Sequence, residues 1–198
     1  MGKIVVVENI TLDGVMQAPG GKDEDTRGDF RHGGWATPYG DRVMAEKMGA
    51  GLGTGGTMLF GRRTYEQFYG FWSRQTDGNP YTEALNRNRK YVASRAGTEA
   101  LSWENSTLLP GEAATTVAAL KQETEGDLVV LGSGELVRSL RAAGLIDTYV
   151  LSIYPLTLGT GTRLFAEGDT AYGQLELVEA LPTTTGVIIA TYRPATGS

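Results

Sequence analysis

Cysteine is absent from the 198 residues, and histidine occurs once, at His32. Without cysteine there is no disulfide framework, no thiolate nucleophile and no thiolate zinc set. With one imidazole, a zinc site would have to rest on carboxylates. A Ser-His-Asp triad would have to use His32, which lies in a glycine-rich, charged segment. Hydrolytic chemistry of the familiar kinds and a resident metal are therefore not expected, and His32 is taken as a loop residue. No apolar run approaches the length of a membrane span. A strand-like run begins almost at once, so no signal peptide is expected. Basic clusters are missing too: 18 Lys and Arg against 23 Asp and Glu leave a formal charge of −5, which argues against a nucleic-acid surface. The default that remains is a cytoplasmic enzyme or binding protein with a small-molecule partner.

Glycine is plentiful, with 28 residues, which points to many tight turns. The length fits a single domain, residues 1–198, able to bury a substantial core. The most informative stretch is Asp127 to Leu145. Leu128 to Leu131 is a continuous apolar run, as in a strand buried on both faces. It stops at Gly132-Ser133-Gly134, after which Leu136, Leu140 and Ala143 recur at helical spacing and Gly144 falls at a C-cap. A glycine turn entering a helix lets backbone approach a ligand and presents free N–H groups to phosphate. It also simply joins a strand to a helix, and the full GxGxxG pattern is lacking.

A first strand is expected over Lys3 to Glu8, followed by a turn carrying Asn9, Thr11 and Asp13. Polar groups just past a strand end suit ligand binding in parallel sheets, and suit turn chemistry equally. A long loop without periodicity spans residues 18–40. Lys22 to Asp25 within it reads as a solvated charge run. Phe30, Trp35 and Tyr39 need something to pack on, either a planar ligand, their own domain or a partner subunit. A helix follows over Asp41 to Ala50, with Asp41, Ala45, Met48 and Leu52 on one face and Gly49 to Gly56 as a flexible connection. Asp41 is then either an N-cap or an acid turned toward a site.

Thr57 to Phe60 reads as a second buried strand, running into Gly61-Arg62-Arg63-Thr64 and a helix with Tyr65, Phe68 and Tyr69 on one face. Two arginines at a helix start are electrostatically unfavourable unless an anion binds there or solvent screens them. Further elements are a helical segment over Pro80 to Arg89, a strand over Lys90 to Ala93 ending in Ser94-Arg95, a helix over Glu112 to Glu125 and a strand over Thr148 to Tyr154. A hairpin from Gln174 to Arg193 closes the chain. Strands alternating with helices predict an α/β fold of three layers, a mostly parallel central sheet with helices on both faces and a C-terminal antiparallel hairpin. Phosphate-suited groups at three strand ends, Gly61, Ser94 and Gly132, together suggest a dinucleotide.

These residues resemble the dihydrofolate reductase superfamily, and most closely its bacterial RibD C-terminal-like branch, related to the reductase domain of the bifunctional riboflavin-biosynthesis enzyme. The resemblance rests on Thr11-Leu12-Asp13-Gly14, Phe60-Gly61-Arg62-Arg63-Thr64-Tyr65-Glu66, Tyr91-Val92-Ala93-Ser94-Arg95, Val130-Leu131-Gly132-Ser133-Gly134-Glu135-Leu136 and the strand from Asp147 to Tyr154. It implies a dihydrofolate reductase-like fold and NADPH as cofactor. Gly61, Arg62, Arg63 and Thr64 with Gly132, Ser133, Gly134 and Glu135 would hold the diphosphate. Ser94 and Arg95 would hold the 2′-phosphate, and Asn9 and Leu131 would border the nicotinamide. Asp41 would be the catalytic acid, with Asp13, Gln17, Phe30, Trp35 and Tyr39 on the substrate side. The implied activity is hydride transfer to a C=O or C=N carbon of a small polar heterocycle, pterin-like or pyrimidine-like, by a homodimer. Dihydrofolate reduction proper and non-catalytic NADPH binding are the alternatives.

Overall fold

The computed structural model describes residues 1–53, 56–96, 100–165 and 173–195, the side chains of 49–53 excepted. At the centre lie β1 (Ile4–Thr11) and β5 (Leu128–Leu131), paired in parallel from Ile4–Leu128 to Val7–Leu131. All four β5 side chains are buried, as expected of an apolar run covered on both faces. β2 (Thr57–Gly61), β3 (Lys90–Ser94) and β4 (Ser106–Pro110) extend the sheet on one side. On the other side stand β6 (Thr148–Tyr154), β8 (Ile188–Pro194) and β7 (Leu175–Pro182), giving the order β4-β3-β2-β5-β1-β6-β8-β7. β1 to β6 are parallel, and only the closing hairpin is antiparallel.

Period-two alternation sorts the central side chains between two helical layers. Val6 and Val130 join Val117 and Leu120 of α4 (Ala113–Glu123) and Leu136, Val137 and Leu140 of α5 (Gly134–Ala142). Val7, Val129 and Leu131 turn the other way, toward Tyr65, Phe68 and Tyr69 of α2 (Arg62–Trp72) and Ala84 and Leu85 of α3 (Pro80–Arg87). This is the three-layer arrangement. α5 ends at Gly144, whose φ of 64° and N–H bond to the Arg141 carbonyl at 3.0 Å make a left-handed cap. Among the described residues no helix is long and apolar enough to cross a membrane.

Two sequence expectations need correction, and one open alternative is decided. The sheet gains β4, hidden in the sequence because Ser-Thr-Leu-Leu-Pro at an edge is only half covered and carries no apolar run. Lys90 secures that edge: its buried ammonium donates to the carbonyls of Asn86, Asn88 and Glu104 over the Trp103 ring, and burial pushes its pKa down to about 8. The helix α1 (Arg42–Gly53) runs on through the glycines expected to form a flexible connection. Its inward face carries Met44 and Met48, while Ala45 is exposed. The Leu52 side chain and residues 54 and 55 lie outside the described residues. The loop over residues 18–40 is no open excursion, since Val15, Ala18, Phe30 and Trp35 form a third core with Met44, Tyr154, Val187 and Ile189.

Candidate functional site

β1 outruns β5. Its pairing with β5 stops at Val7–Leu131, but its pairing with β6 continues to Thr11–Tyr154. A split therefore opens at the carboxyl rim of the sheet, where ligands bind in open α/β folds. Gly132, at φ 62°, and Ser133, at φ 73°, form two consecutive left-handed residues that turn β5 into α5. The turn interlocks with the corresponding one after β2. The Gly61 N–H donates to Ser133 Oγ at 2.8 Å, and a Cβ on Gly132 would stand 3.1 Å from Thr64 Cγ2. Neither N-cap residue, Gly61 for α2 or Ser133 for α5, makes a side-chain capping bond among the described residues. Each helix thus turns its N-terminal turn of backbone N–H groups, and its positive dipole end, to the same rim. Gly61, Arg62, Arg63 and Thr64 are brought together with Gly132, Ser133, Gly134 and Glu135.

Positive charge adjoins this cradle. Arg62 pairs with Glu66 one turn along α2, with Nε to Oε1 at 2.6 Å, whereas Arg63 is exposed. The long loop crosses here: Gln67 of α2 donates to the Glu24 carbonyl at 2.7 Å, and Glu24 itself accepts from the Gly20 and Gly21 N–H groups at 2.7 and 2.9 Å. Asp25 is bonded to Arg27 and also feels Arg63, and both hold its carboxyl below the usual range. Arg27 in turn feels Glu135. Lys22 to Asp25 is therefore not a merely solvated charge run. Glu24 to Arg27 is tied to α2 through Gln67 and lies within the field of Glu135 on α5, and this could not be read from a charge pattern. Across the sheet, Gly61 pairs with Ala93, so Ser94 and the exposed Arg95 extend the same rim.

On the β6 side of the split lie Asn9 and a residue the sequence argument passed over. Tyr154, 2 % exposed, donates its hydroxyl to Asn9 Oδ1 at 3.1 Å, and burial pushes its pKa up to about 12. The only signal was a tyrosine closing a strand. Trp35 and Tyr39 stack edge-on against Tyr154, at centroid distances of 5.1 and 5.6 Å. Phe30 is buried, its ring close enough to Gly161 that a Cβ there would come within 2.7 Å. Of the packing partners open to these aromatics, their own domain supplies one for each.

Asp13 and Gln17 are tied into structure. Asp13 accepts from Thr11 Oγ1 at 2.5 Å and from the Leu158 and Gly159 N–H groups at 3.2 and 2.8 Å, which hold its carboxyl below the usual range. Gln17 donates to the Asp25 and Arg27 carbonyls at 3.1 and 2.9 Å and accepts from the Thr162 N–H at 2.9 Å. It staples the long loop to residue 162. Neither side chain is left free to grip a substrate.

Asp41 caps α1. Its Oδ1 accepts from the Met44 N–H at 2.8 Å, and Oδ2 takes the Thr184 N–H and hydroxyl at 2.7 and 2.6 Å. These donors hold its carboxyl below the usual range, so near neutrality it is an ionised cap with both oxygens engaged, which does not suit a general acid. Asp41→Asn is expected to leave the pH profile of turnover unchanged. It should lower the melting temperature, because the amide puts an NH2 group where one carboxylate oxygen now accepts from both the Thr184 N–H and its hydroxyl. The folded carboxyl titrates below its unfolded value, so this stabilisation is present above the ordinary carboxylate range and lost as pH falls through the lowered one. If the wild-type rate falls as pH rises through a carboxyl titration and the variant loses that fall, Asp41 is restored as the proton donor.

Comparison with known proteins gives a consistent assignment. The family model for the RibD C-terminal domain matches residues 2–189. The Bacillus subtilis protein YyaP, described as uncharacterized, is 26 % identical over 140 residues, covering 69 % of this chain and 72 % of its own. Among solved structures, a putative riboflavin biosynthesis protein from Shewanella sp. PV-4 superposes with a TM-score of 0.70 at 18 % identity, covering 98 % of this chain and 99 % of the other. A pyrimidine reductase-like protein from Corynebacterium diphtheriae gives 0.67 at 13 % identity, covering 98 % and 92 %. Dihydrofolate reductase from Enterococcus faecalis, in complex with NADP(H), gives 0.60 at 17 %, covering 97 % and 96 %. The fold is that of dihydrofolate reductase.

Proposed function

The chain belongs to the RibD C-terminal domain family, and on that footing we propose that it is an NADPH-dependent reductase acting on a small polar heterocycle. The observation that carries this is the interlocked pair of turns, Gly61 on Ser133 and Gly132 on Thr64, which aims two helix N-termini at one place. Those groups fit a diphosphate: they offer N–H donors, lack side chains where backbone must come close, and have the exposed Arg63 beside them. Ser94 and Arg95 would hold the 2′-phosphate, with the guanidinium forming a bidentate pair. Asn9 and Leu131 would border the nicotinamide.

NADPH, when bound, supplies the hydride; the protein's share is orientation and exclusion of water. Tyr154 holds the carbonyl of the Asn9 amide, which leaves the Asn9 Nδ2 hydrogens to donate to an acceptor. A donor placed there suits a substrate C=O or C=N group and would steady the negative charge that develops on its heteroatom. With Asp41 engaged as a cap, the proton would come from water at the rim. A folate substrate is disfavoured on the same ground, because the resemblance to folate reductases gives the acid's part to Asp41. Leu177 and Val178, exposed on the hairpin, would serve a homodimer contact.

The test is NADPH oxidation by the purified chain against a panel of cyclic carbonyl and imine compounds, dihydrofolate included. Turnover with a pyrimidine-like or pterin-like carbonyl and little with dihydrofolate is the expected outcome. Tight NADPH binding with no oxidation across the panel would make the chain a binding protein.

A further inference from the structure

One buried polar side chain on β1 is left without a hydrogen bond among the described residues. Glu8 lies between Val6 and Ile10 on the face turned toward α4 and α5, and it is 4 % exposed. Its Oε1 is sealed from solvent with no hydrogen-bond partner among the described residues. Leaving a carboxyl oxygen unpaired in the interior costs stability, so an apolar residue would serve the core better.

Its position is informative. Glu8 follows Val7, the last β1 residue paired with β5, and is matched on the other side by Leu151 of β6. On the β5 side the chain has already turned at Gly132, which has no side chain to offer. Glu8 is therefore the β1 residue at which the split between the two central strands begins, level with the turn that forms the cradle.

Desolvation raises the Glu8 pKa well above the ordinary value, which favours the protonated carboxyl. A protonated carboxyl has one O–H donor and one acceptor side by side in a plane. Its natural complement is a planar group with an acceptor and a donor in the same arrangement, which is a primary carboxamide. The reduced nicotinamide ring carries one.

Resting on the reading of this rim as an NADPH site, we propose that the Glu8 carboxyl, waiting unpaired where β1 and β5 part, pairs with the carboxamide of the nicotinamide and sets the rotation of the ring. Glu8 is a positioning residue in this account. Its cost to the empty protein is recovered when the coenzyme enters.

The test uses the whole chain as wild type, Glu8→Leu and Glu8→Gln. Each is titrated with NADPH and with the reduced 3-acetylpyridine analogue, whose acetyl group lacks the amide N–H donors, and each is melted without ligand. Glu8→Leu is expected to melt above the wild type when empty yet bind NADPH at least about ten-fold more weakly, since the donated and the accepted hydrogen bond are both lost. Wild type should prefer NADPH to the analogue, and that preference should shrink in Glu8→Leu. Glu8→Gln keeps a donor and an acceptor and should stay within about three-fold of wild type.

A pH arm adds a sign. Because the folded carboxyl titrates above its ordinary 4.5, its ionisation destabilises the folded state, and wild-type stability should fall relative to Glu8→Leu as pH rises past that value. Unchanged NADPH affinity in Glu8→Leu overturns the role of Glu8 while leaving the NADPH site intact. Equal losses for NADPH and analogue also overturn it. Failure of the wild type to take up NADPH overturns both this role and the reading it rests on.

Discussion

Replacing Gly132 with valine is expected to weaken NADPH binding at least ~100-fold while leaving the chain folded. Gly132 holds a φ of 62°, where a β-branched side chain is sterically disfavoured, at a cost of roughly 1–2 kcal/mol for any L-residue and more for valine. The added Cβ would also press on Thr64 Cγ2 from 3.1 Å. The turn can relieve both only by opening, and opening it draws Ser133 Oγ away from the Gly61 N–H, now at 2.8 Å. The two helix N-termini then no longer point at one place. The backbone cost is a fraction of the 5–15 kcal/mol typical of a folded domain, so circular dichroism should still show a cooperative melt. Valine binding NADPH within about three-fold of wild type would show that the turn does not shape a phosphate site.

Gly161→Ala should give the largest loss of stability, roughly 2–4 kcal/mol, from a left-handed penalty added to overpacking. At φ 107° the residue is in a region that alanine avoids, and its Cβ would lie 2.7 Å from Phe30 Cε2 and 2.9 Å from Val15 Cγ1. Both are fixed core atoms, with Phe30 5 % exposed and Val15 not exposed at all. In a chain of this size the melting temperature should fall by roughly 5–15 °C. Phe30 anchors the loop tied to α2 through Gln67, so NADPH affinity should fall with it. A melting temperature within about 2 °C of wild type would mean that the loop yields easily and is not part of the core.

What the sequence disclosed follows from where local rules decide the outcome. Leu128 to Leu131 could only be a strand buried on both faces, and Gly132 to Gly134 could only turn it sharply. The rim residues of β2, β3 and β5 were visible for the same reason. β4 was not, because a half-covered edge strand carries no apolar signature. The destinations of Asp13, Gln17 and Asp41 also stayed hidden, because each is set by a partner far along the chain: Gly159, Thr162 and Thr184. A polar residue near a strand end suits a ligand and a distant backbone N–H equally well, and only the tertiary fold chooses between them. Tyr154 was missed because a tyrosine closing a strand looks like core, and it is core, apart from the hydroxyl that it extends to Asn9.

The most direct measurement is a calorimetric titration of the purified chain with NADPH and, in parallel, NADH, repeated with Arg95→Ala. Saturable uptake of one NADPH per chain is expected, with NADH bound about ten-fold or more weakly. Arg95→Ala should remove that preference, as befits the loss of one charge-assisted pair. No saturable heat with NADPH would contradict the claim that the carboxyl rim of this sheet is a dinucleotide site.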